Sequence, residues 1–478
     1  MCETARRMPR RASARNERSV ERTRRDGASW RTFRGLAVVW ILRRGRGVIP
    51  VIVGGCLVPT SADAQHTNDA SPLAVVRTNE PQSRVREQAT DTTPPVREGG
   101  ITAWFRRRAR SFGASADEST DGFSADAGVI TAGAGLGAGV GYRHSRVLSS
   151  GLGIEADAMV SYRRYQAYRV AVGVLGARRS TVAMNAADTR LAALFNDAAP
   201  KAPGTALYAD VRFRDYPRHM YFGTSMASNR LDRSDYALTG LSYEGVLQKQ
   251  IRRTFGVSLR GGVLDLDVGT GRDGSVTNLE RRFNLVDVPG ALTSLTFFTV
   301  GAGFVYDTRP EPRAPEAGGF VGMALRRFHG RSAADLSFTR VTLDARTYRR
   351  PSPRGVVAVR GLLSGDVSSA GGATPFYLQE SLGGGETLRG FRPLRFQHRA
   401  LLHGTVEYRW RVHRFVEVAP FADAGTMAST LSSLGDDAWR FSGGIGVRAR
   451  TDRRMIVRLD WARSGEGQRL ILAMGPFF

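Results

Sequence analysis

From about Phe123 onward, apolar and polar residues alternate one by one in segment after segment. Ile154, Ala156, Ala158, Val160 and Tyr162 interleave with Glu155, Asp157, Ser161 and Arg163. Phe255, Val257, Leu259, Gly261 and Val263 interleave with Thr254, Ser258 and Arg260. Leu402, Gly404, Val406, Tyr408, Trp410 and Val412 interleave with His403, Thr405, Glu407, Arg409 and Arg411. A period of two predicts strands with one apolar and one polar face. A soluble sandwich would alternate as well. Several polar faces here are charged along their whole length, as a wet lumen would require, and the apolar faces would then meet lipid.

The final segment separates these readings. Gln468 to Phe478 puts Leu470, Leu472, Met474, Pro476 and Phe478 on one face and stops there. In a soluble domain a bare apolar terminal strand leaves an edge open; in a closed barrel it seals against the first strand. A terminal aromatic residue after a signal peptide is similar to the sorting signal of bacterial outer-membrane barrels, which makes Phe478 the candidate signal. No apolar run reaches the 18 or so residues of a spanning helix. Lipid tolerates only helices or closed barrels, because every backbone group must be paired internally. About 350 residues at about 22 per strand and connection predict an all-β fold, a transmembrane antiparallel β-barrel of about 16 strands. Tyr162, Tyr165, Tyr168, Tyr408, Trp410 and Trp461 are candidates for interface girdles, and core packing accounts for them equally well.

Composition refines this picture at the N-terminus. The chain has 478 residues, a formal charge of +25, 55 glycines and two cysteines. Much of the basic excess lies in the N-terminal arginines and no compact basic domain follows, so the charge does not point to nucleic acid. Val48 to Val58 is a short apolar core preceded by Arg43, Arg44 and Arg46 and followed by Ala62-Asp63-Ala64, the order of a secretory signal. A competing reading makes Cys56 a lipidated residue after Gly54-Gly55. Cleavage after Ala64 would remove Cys2 and Cys56, leaving no disulfide, thiol nucleophile or cysteine-ligated metal. Gln65 to about Ser119 is rich in Pro, Thr, Arg, Glu and Asp and cannot bury enough apolar surface to order itself. Ile101 to Phe105 with Arg106-Arg107-Arg108 is either a short amphipathic helix or part of a disordered basic patch. The expected layout is residues 1–64 as extension and signal peptide, 65–122 as disordered polar linker and 123–478 as barrel.

One stretch breaks the alternation. Gly383-Gly384-Gly385-Glu386-Thr387-Leu388-Arg389-Gly390-Phe391 has no hydrophobic period and lies in a region, Gly365 to Ala400, without strand-like pattern. A connection of that length is functional or disordered. Two strands with inward acids follow. Glu407 shares a face with His403, Thr405 and Arg409, and Asp423 shares a face with Glu417, opposite Val416, Val418 and Ala422. Two neighbouring carboxylates repel unless a cation sits between them, and an arginine fork can satisfy both where lysine cannot. Arg389 is therefore either that cation, folded back as a latch, or an ordinary solvated loop residue.

The same residues carry a family resemblance. Gly383 to Phe391, ending Leu388-Arg389-Gly390-Phe391, resembles the inward-folded loop motif of the BamA/TamA superfamily, whose barrel domain is the bacterial surface antigen domain. Gly404 to Arg409 is similar to that family's next strand, and Phe421-Ala422-Asp423-Ala424-Gly425 to its Phe-x-Asp-x-Gly strand. Tyr306-Asp307-Thr308-Arg309, with Pro310, Pro312 and Gly318-Gly319, resembles the family's Asp-Thr-Arg segment. Gly443 to Arg448, Arg458-Leu459-Asp460 and the Phe-Phe end follow in order. The resemblance implies a loop latch of Gly384, Gly385, Leu388, Arg389, Gly390, Phe391, Glu407, Phe421, Asp423 and Gly425, and a strand-end motif of Asp307 and Arg309. It implies a bacterial outer-membrane location and work in membrane-protein insertion or protein translocation. The implied partners are outer-membrane lipids and lipopolysaccharide, a client barrel or secreted protein, and the barrel assembly machinery for the chain's own insertion, with no nucleic acid. Residues 65–119 are too short and polar for the periplasmic POTRA docking domains of the assembly and secretion branches, which leaves a passive pore or structural barrel as the alternative.

Candidate chemistry adds little. Asp307 and Arg309, two apart, predict a local ion pair at a strand end. Gly133 to Gly139 lacks the Gly-Lys-Ser/Thr ending of a phosphate loop and reads as a bending, glycine-rich first strand. The seven histidines show no zinc spacing, and no Gly-x-Ser-x-Gly elbow is present. The expectation is a non-enzymatic protein without metal or cofactor; an outer-membrane lipase is the third and weakest reading.

Overall fold

A computed structural model describes residues 121–131, 133–147, 151–175, 204–331, 333–369, 372–436, 438–451, 455–474 and 478. The signal peptide, Cys56, the 101–108 segment and all but the last two residues of the expected linker lie outside the described residues.

Strands dominate. In chain order they are β1 (Gly122–Val129), β2 (Leu136–His144), β3 (Gly153–Ser161), β4 (Gln166–Val174), β5 (Gly204–Tyr221), β6 (Ser234–Arg252) and β7 (Phe255–Thr270). After the two-residue β8 (Thr277–Asn278) come β9 (Leu295–Asp307), β10 (Gly318–Gly330), β11 (Phe338–Ser352) and β12 (Gly355–Ser368). A small pair, β13 (Glu380–Leu382) and β14 (Phe396–His398), precedes β15 (Ala400–His413), β16 (Val416–Ala428), β17 (Arg440–Arg450), β18 (Met455–Ser464) and β19 (Gly467–Met474). Without β8, β13 and β14, sixteen strands remain among the described residues, each antiparallel to the next in sequence. The expected strand number and all-β class are those of the structure. β1 and β19, at the two ends of this order, approach within 8 Å, Cα to Cα.

The alternation sorts the faces. Along β15, His403, Thr405, Glu407 and Arg409 are buried, while Val406, Tyr408 and Trp410 are exposed. The same inversion runs through β3, where Glu155 and Asp157 are buried and Val160 is exposed, and β18, where Arg458 and Asp460 are buried and Leu459 and Trp461 are exposed. A polar interior under an apolar exterior is the reverse of a water-soluble protein and is what a lipid-facing sheet requires. Of the candidate girdle residues, Tyr162, Tyr168, Tyr408, Trp410 and Trp461 face outward, whereas Tyr165 is 1% exposed and belongs to the interior.

Connections differ at the two edges. β6–β7, β11–β12 and β15–β16 are joined by two-residue turns at one edge, which also carries the β4–β5 and β9–β10 connections; the opposite edge carries residues 222–233, 271–294 and 369–399. Near the edge that carries residues 369–399 the buried face of the sheet turns apolar. Phe376, from a short 3-10 turn in that connection, lies edge-on to Tyr221 (5.0 Å) and Tyr236 (4.7 Å), within a cluster with Leu266, Phe297, Phe328 and Phe338. β5 carries a register shift between Tyr216 and His219, where Pro217 lacks an N–H to give to the ladder.

Two expectations are corrected. The 365–400 region is not free of strand: β12 extends to Ser368 and β13 pairs with β14, a hairpin too short for a sequence period to register. The glycine-rich stretch 133–139 is not the first strand either. It forms the turn after β1 and the start of β2, with Gly133 and Gly135 at φ +89° and +73°.

Candidate functional site

Residues 383–391 run back along the buried face of the sheet. Gly383 and Gly384 take φ of +115° and +87°, a conformation that side chains with a Cβ disfavour, and turn the chain inward. The loop is then pinned by apolar contacts: Leu388 and Phe391 pack with Leu382, Phe396, Leu401 and Met427, and the Phe391 ring meets Phe396 at 5.3 Å. Gly425 leaves the room that Leu382 uses, since a Cβ there would lie 3.0 Å from a Leu382 methyl. Gly390 passes so close to β17 and β18 that a Cβ would meet the Ser442 and Ser464 side chains at 2.7 Å. Instead Ser464 Oγ donates to the Gly390 carbonyl at 2.9 Å. Gly385 approaches β18 and β19: Arg458 Nη2 donates to its carbonyl at 2.6 Å, and Ile471 lies beside it.

This course brings Arg389 to the inward acids. Its Nη2 donates to Asp423 Oδ1 (2.7 Å), its Nε to Asp423 Oδ2 (3.1 Å), and its Nη1 to Glu407 Oε2 (2.9 Å). The backbone N–H of Arg389 also reaches Asp423 Oδ2 at 3.2 Å, and Nη2 reaches Thr405 Oγ1 at 3.1 Å. Thr405 and Ser442 donate their hydroxyls to Asp423 (2.7 and 3.1 Å), so that carboxylate is bonded from several sides. The guanidinium lies 3.3 Å over the centre of the Phe421 ring, adding a cation–π contact. Arg389 and Glu407 are both 0% exposed and Asp423 is 2% exposed. Burial weakens the hold of Arg389 on its proton; Asp423, then Glu407 and Asp460, outweigh that and raise the guanidinium above its ordinary value.

The acids are shared with further arginines. Glu407 also pairs with Arg409 (2.8 Å) and Arg448 (2.8 Å); Arg448 pairs with Asp460 (2.6 Å), and so does Arg458 (2.6 Å). Asp460 comes within 3.7 Å of Arg389 as well. Arg389, Arg409, Arg448 and Arg458 thus interleave with Glu407, Asp423 and Asp460 across β15, β16, β17 and β18. Each strand contributes by parity alone, which could have flagged Arg448 and Asp460 as inward partners beside the outward Val447, Leu459 and Trp461.

A second tie holds the base of the same connection. Arg340 on β11 pairs with Asp366 (2.6 Å) and Glu380 (3.3 Å) and donates to the Leu378 carbonyl. Arg395 binds Glu466 (2.8 Å) and the Ser228 carbonyl (2.6 Å), linking the loop to the β18–β19 and β5–β6 connections. Neither was singled out from sequence, because each depends on contacts between distant segments.

The remaining candidates lie elsewhere. Asp307 and Arg309 form a bidentate pair (2.9 Å for both Nε–Oδ1 and Nη2–Oδ2), with the Arg309 guanidinium 4.9 Å over the Phe320 ring. The structure does not join that pair to Arg389. Phe478 does not share the outward face of Leu470 and Leu472. It is 4% exposed, 6.0 Å from the Tyr348 ring and 5.5 Å from the Arg409 guanidinium. The ladder with β18 ends at Met474, so alternation no longer dictates the orientation of Phe478. Among the described residues no group of histidines, cysteines and acids could hold a metal ion.

A sixteen-strand antiparallel sheet with an apolar exterior, a charged interior and a long connection drawn along that interior defines an outer-membrane barrel protein. The Omp85 superfamily domain matches residues 175–469, and the chain belongs to that superfamily and to the bacterial outer membrane. BamA from Haemophilus ducreyi lacking POTRA domains 1–3 has the same fold at 15% identity, with a TM-score of 0.53 over 74% of this chain and 70% of that one. CdiB from Escherichia coli is similar at 13% identity and a TM-score of 0.41, over 71% of this chain and 56% of that one. Comparison with curated protein sequences gives no match.

Proposed function

We propose that the protein is an insertion or translocation barrel that works by opening a strand seam rather than by bond chemistry, with the 383–391 loop as its latch. The carrying observation is the burial of Arg389 between Asp423 and Glu407, which sit on adjacent strands of the sheet. A cation shared by two acids fixes the register of β15 and β16, and Arg448 and Asp460 extend the same tie to β17 and β18. The strands nearest the chain's end are thereby held rigid, while β1 and β19, which approach without being held by this network, form the seam of a closed barrel. Asp307 and Arg309 brace the β9 end. Phe478 is the proposed sorting signal. Residues 1–64 act as leader and 65–122 as linker to the barrel, which takes its clients from the side of the short turns.

The test is insertion of a client barrel into proteoliposomes carrying the purified protein, with Arg389→Ala alongside. Client folding above the rate of empty liposomes, reduced in the variant while its own heat-modifiable mobility persists, supports the reading. Steady single-channel conductance without client folding would instead make the protein a passive pore.

A further inference from the structure

The short-turn edge carries cations that the site above does not use. At the β6–β7 turn, Lys249, Arg252 and Arg253 are exposed; at the β11–β12 turn, Arg349 and Arg354 are exposed. Among the described residues none of the five has a carboxylate partner. The acid nearest in character, Glu316 on the β9–β10 connection, is already engaged by Arg350 (3.1 Å), Arg450 (2.8 Å) and Arg411. Lys249 belongs to the outward face: it sits between Leu247 and Ile251, 38% and 46% exposed, at the i±2 positions of β6.

Position in the lipid-facing band gives these charges a partner. Towards the same edge the outward face ends in Tyr306, Tyr408 and Trp410, 49%, 40% and 48% exposed. Tyrosine and tryptophan mark the boundary between hydrocarbon and headgroups. A lysine on the lipid face next to that boundary snorkels its ammonium to the headgroup layer, and arginines in the turns just beyond stand at phosphate depth. Guanidinium forks suit phosphate oxygens. Short turns of such barrels face the periplasm, so the lipid met there is phospholipid.

We propose that this rim binds the phosphates of anionic phospholipids in the periplasmic leaflet, holding a lipid collar at the short-turn edge. The proposal rests on the outer-membrane reading of the sheet and is independent of the latch.

Native mass spectrometry of the detergent-purified protein with phosphatidylglycerol, phosphatidylcholine or inorganic phosphate tests it. The wild type retains phosphatidylglycerol over phosphatidylcholine and does not retain free phosphate. The variant with Lys249, Arg252, Arg253, Arg349 and Arg354 all changed to Gln loses that preference by about threefold or more. The matched control Arg230→Gln with Arg281→Gln, at the opposite edge, keeps it. Heat-modifiable mobility reports separately that each variant is a folded membrane barrel. If the fivefold variant does not fold, the two turns are changed one at a time, and each is expected to lose part of the preference. Unchanged preference in the rim variants, equal loss in the control, or retention of free phosphate alone overturns the proposal. Selective capture of an acidic polypeptide in place of lipid overturns it too.

Discussion

Arg389 shows what a single buried side chain can set. Removing the guanidinium leaves Asp423, 2% exposed, without the arginine that neutralises it, while Glu407 keeps Arg409 and Arg448. Orphaning a buried charge in this way costs about 3–5 kcal/mol. Arg389→Ala is therefore expected to lower the urea midpoint of the folded barrel in liposomes. Arg389→Lys should fall between, because an ammonium keeps the charge but cannot bond both acids in a plane. Wild-type midpoints for both variants would remove the ion network from any account of stability. Gly390→Val is a second test at this scale. Its side chain collides with Ser442 and Ser464, so protease should cut the 383–399 loop faster, whereas Gly404→Ala, with only a backbone carbonyl 3.9 Å away, leaves the loop protected. At this scale the sequence is informative wherever strand parity holds. It puts Glu407, Asp423, Arg448 and Asp460 on one side with no knowledge of the fold. It says nothing about Arg340 with Glu380 or Arg395 with Glu466, because Glu380, Arg395 and Glu466 belong to connections, where parity does not reach and the partner is fixed by how the whole connection folds.

Among the elements, the β9–β10 connection does most beyond joining neighbours. It begins at the Asp307–Arg309 pair. It then reaches far round the sheet: Glu316 meets Arg350 of β11, Arg411 of β15 and Arg450 of β17, Pro315 accepts from Arg409, and the Arg313 carbonyl accepts from Met455 of β18. One glutamate thus binds three strands at the short-turn edge, opposite the loop that binds β15 to β18 from the other edge. Glu316→Gln should release this strap: accelerated cleavage within residues 308–317 from the short-turn side, with larger single-channel conductance, is the expected result. Protease patterns and conductance identical to wild type would mean the strap closes nothing. The Asp-Thr-Arg pattern made its start legible in the sequence. The reach of Glu316 was not, since a loop glutamate four residues beyond Pro312 looks solvated until the strands it meets are in place. The terminal phenylalanine departs from the sequence pattern for the converse reason. Alternation holds only as far as Met474, where the strand that enforces it ends.

For the whole molecule, the inside-out distribution of polarity decides where the protein is stable. Leu459 lies outward on β18 and is 41% exposed, flanked by the inward Arg458 and Asp460. Leu459→Arg on the lipid face is expected to cost about 2–4 kcal/mol near the bilayer midplane, read as a shifted unfolding midpoint in liposomes but not in detergent that can adapt its shape. Equal shifts in both media would argue that this face packs against protein. Class and strand number are the most legible features: a few strongly alternating segments fix the class, and the length of chain available at about 22 residues per strand and connection sets the number. The apolar cluster around Tyr236, Phe297 and Phe376 is hidden from sequence reading, since there the buried side of the strands is itself hydrophobic and alternation fades. An even tally of antiparallel strands carries one more implication: the sheet begins and finishes on a single side of the membrane. Gly122 and Met474, the two outer ends of the sheet, lie at the edge of the tight turns. An epitope fused behind Phe478 should therefore be silent on intact cells and revealed only once the outer membrane is breached.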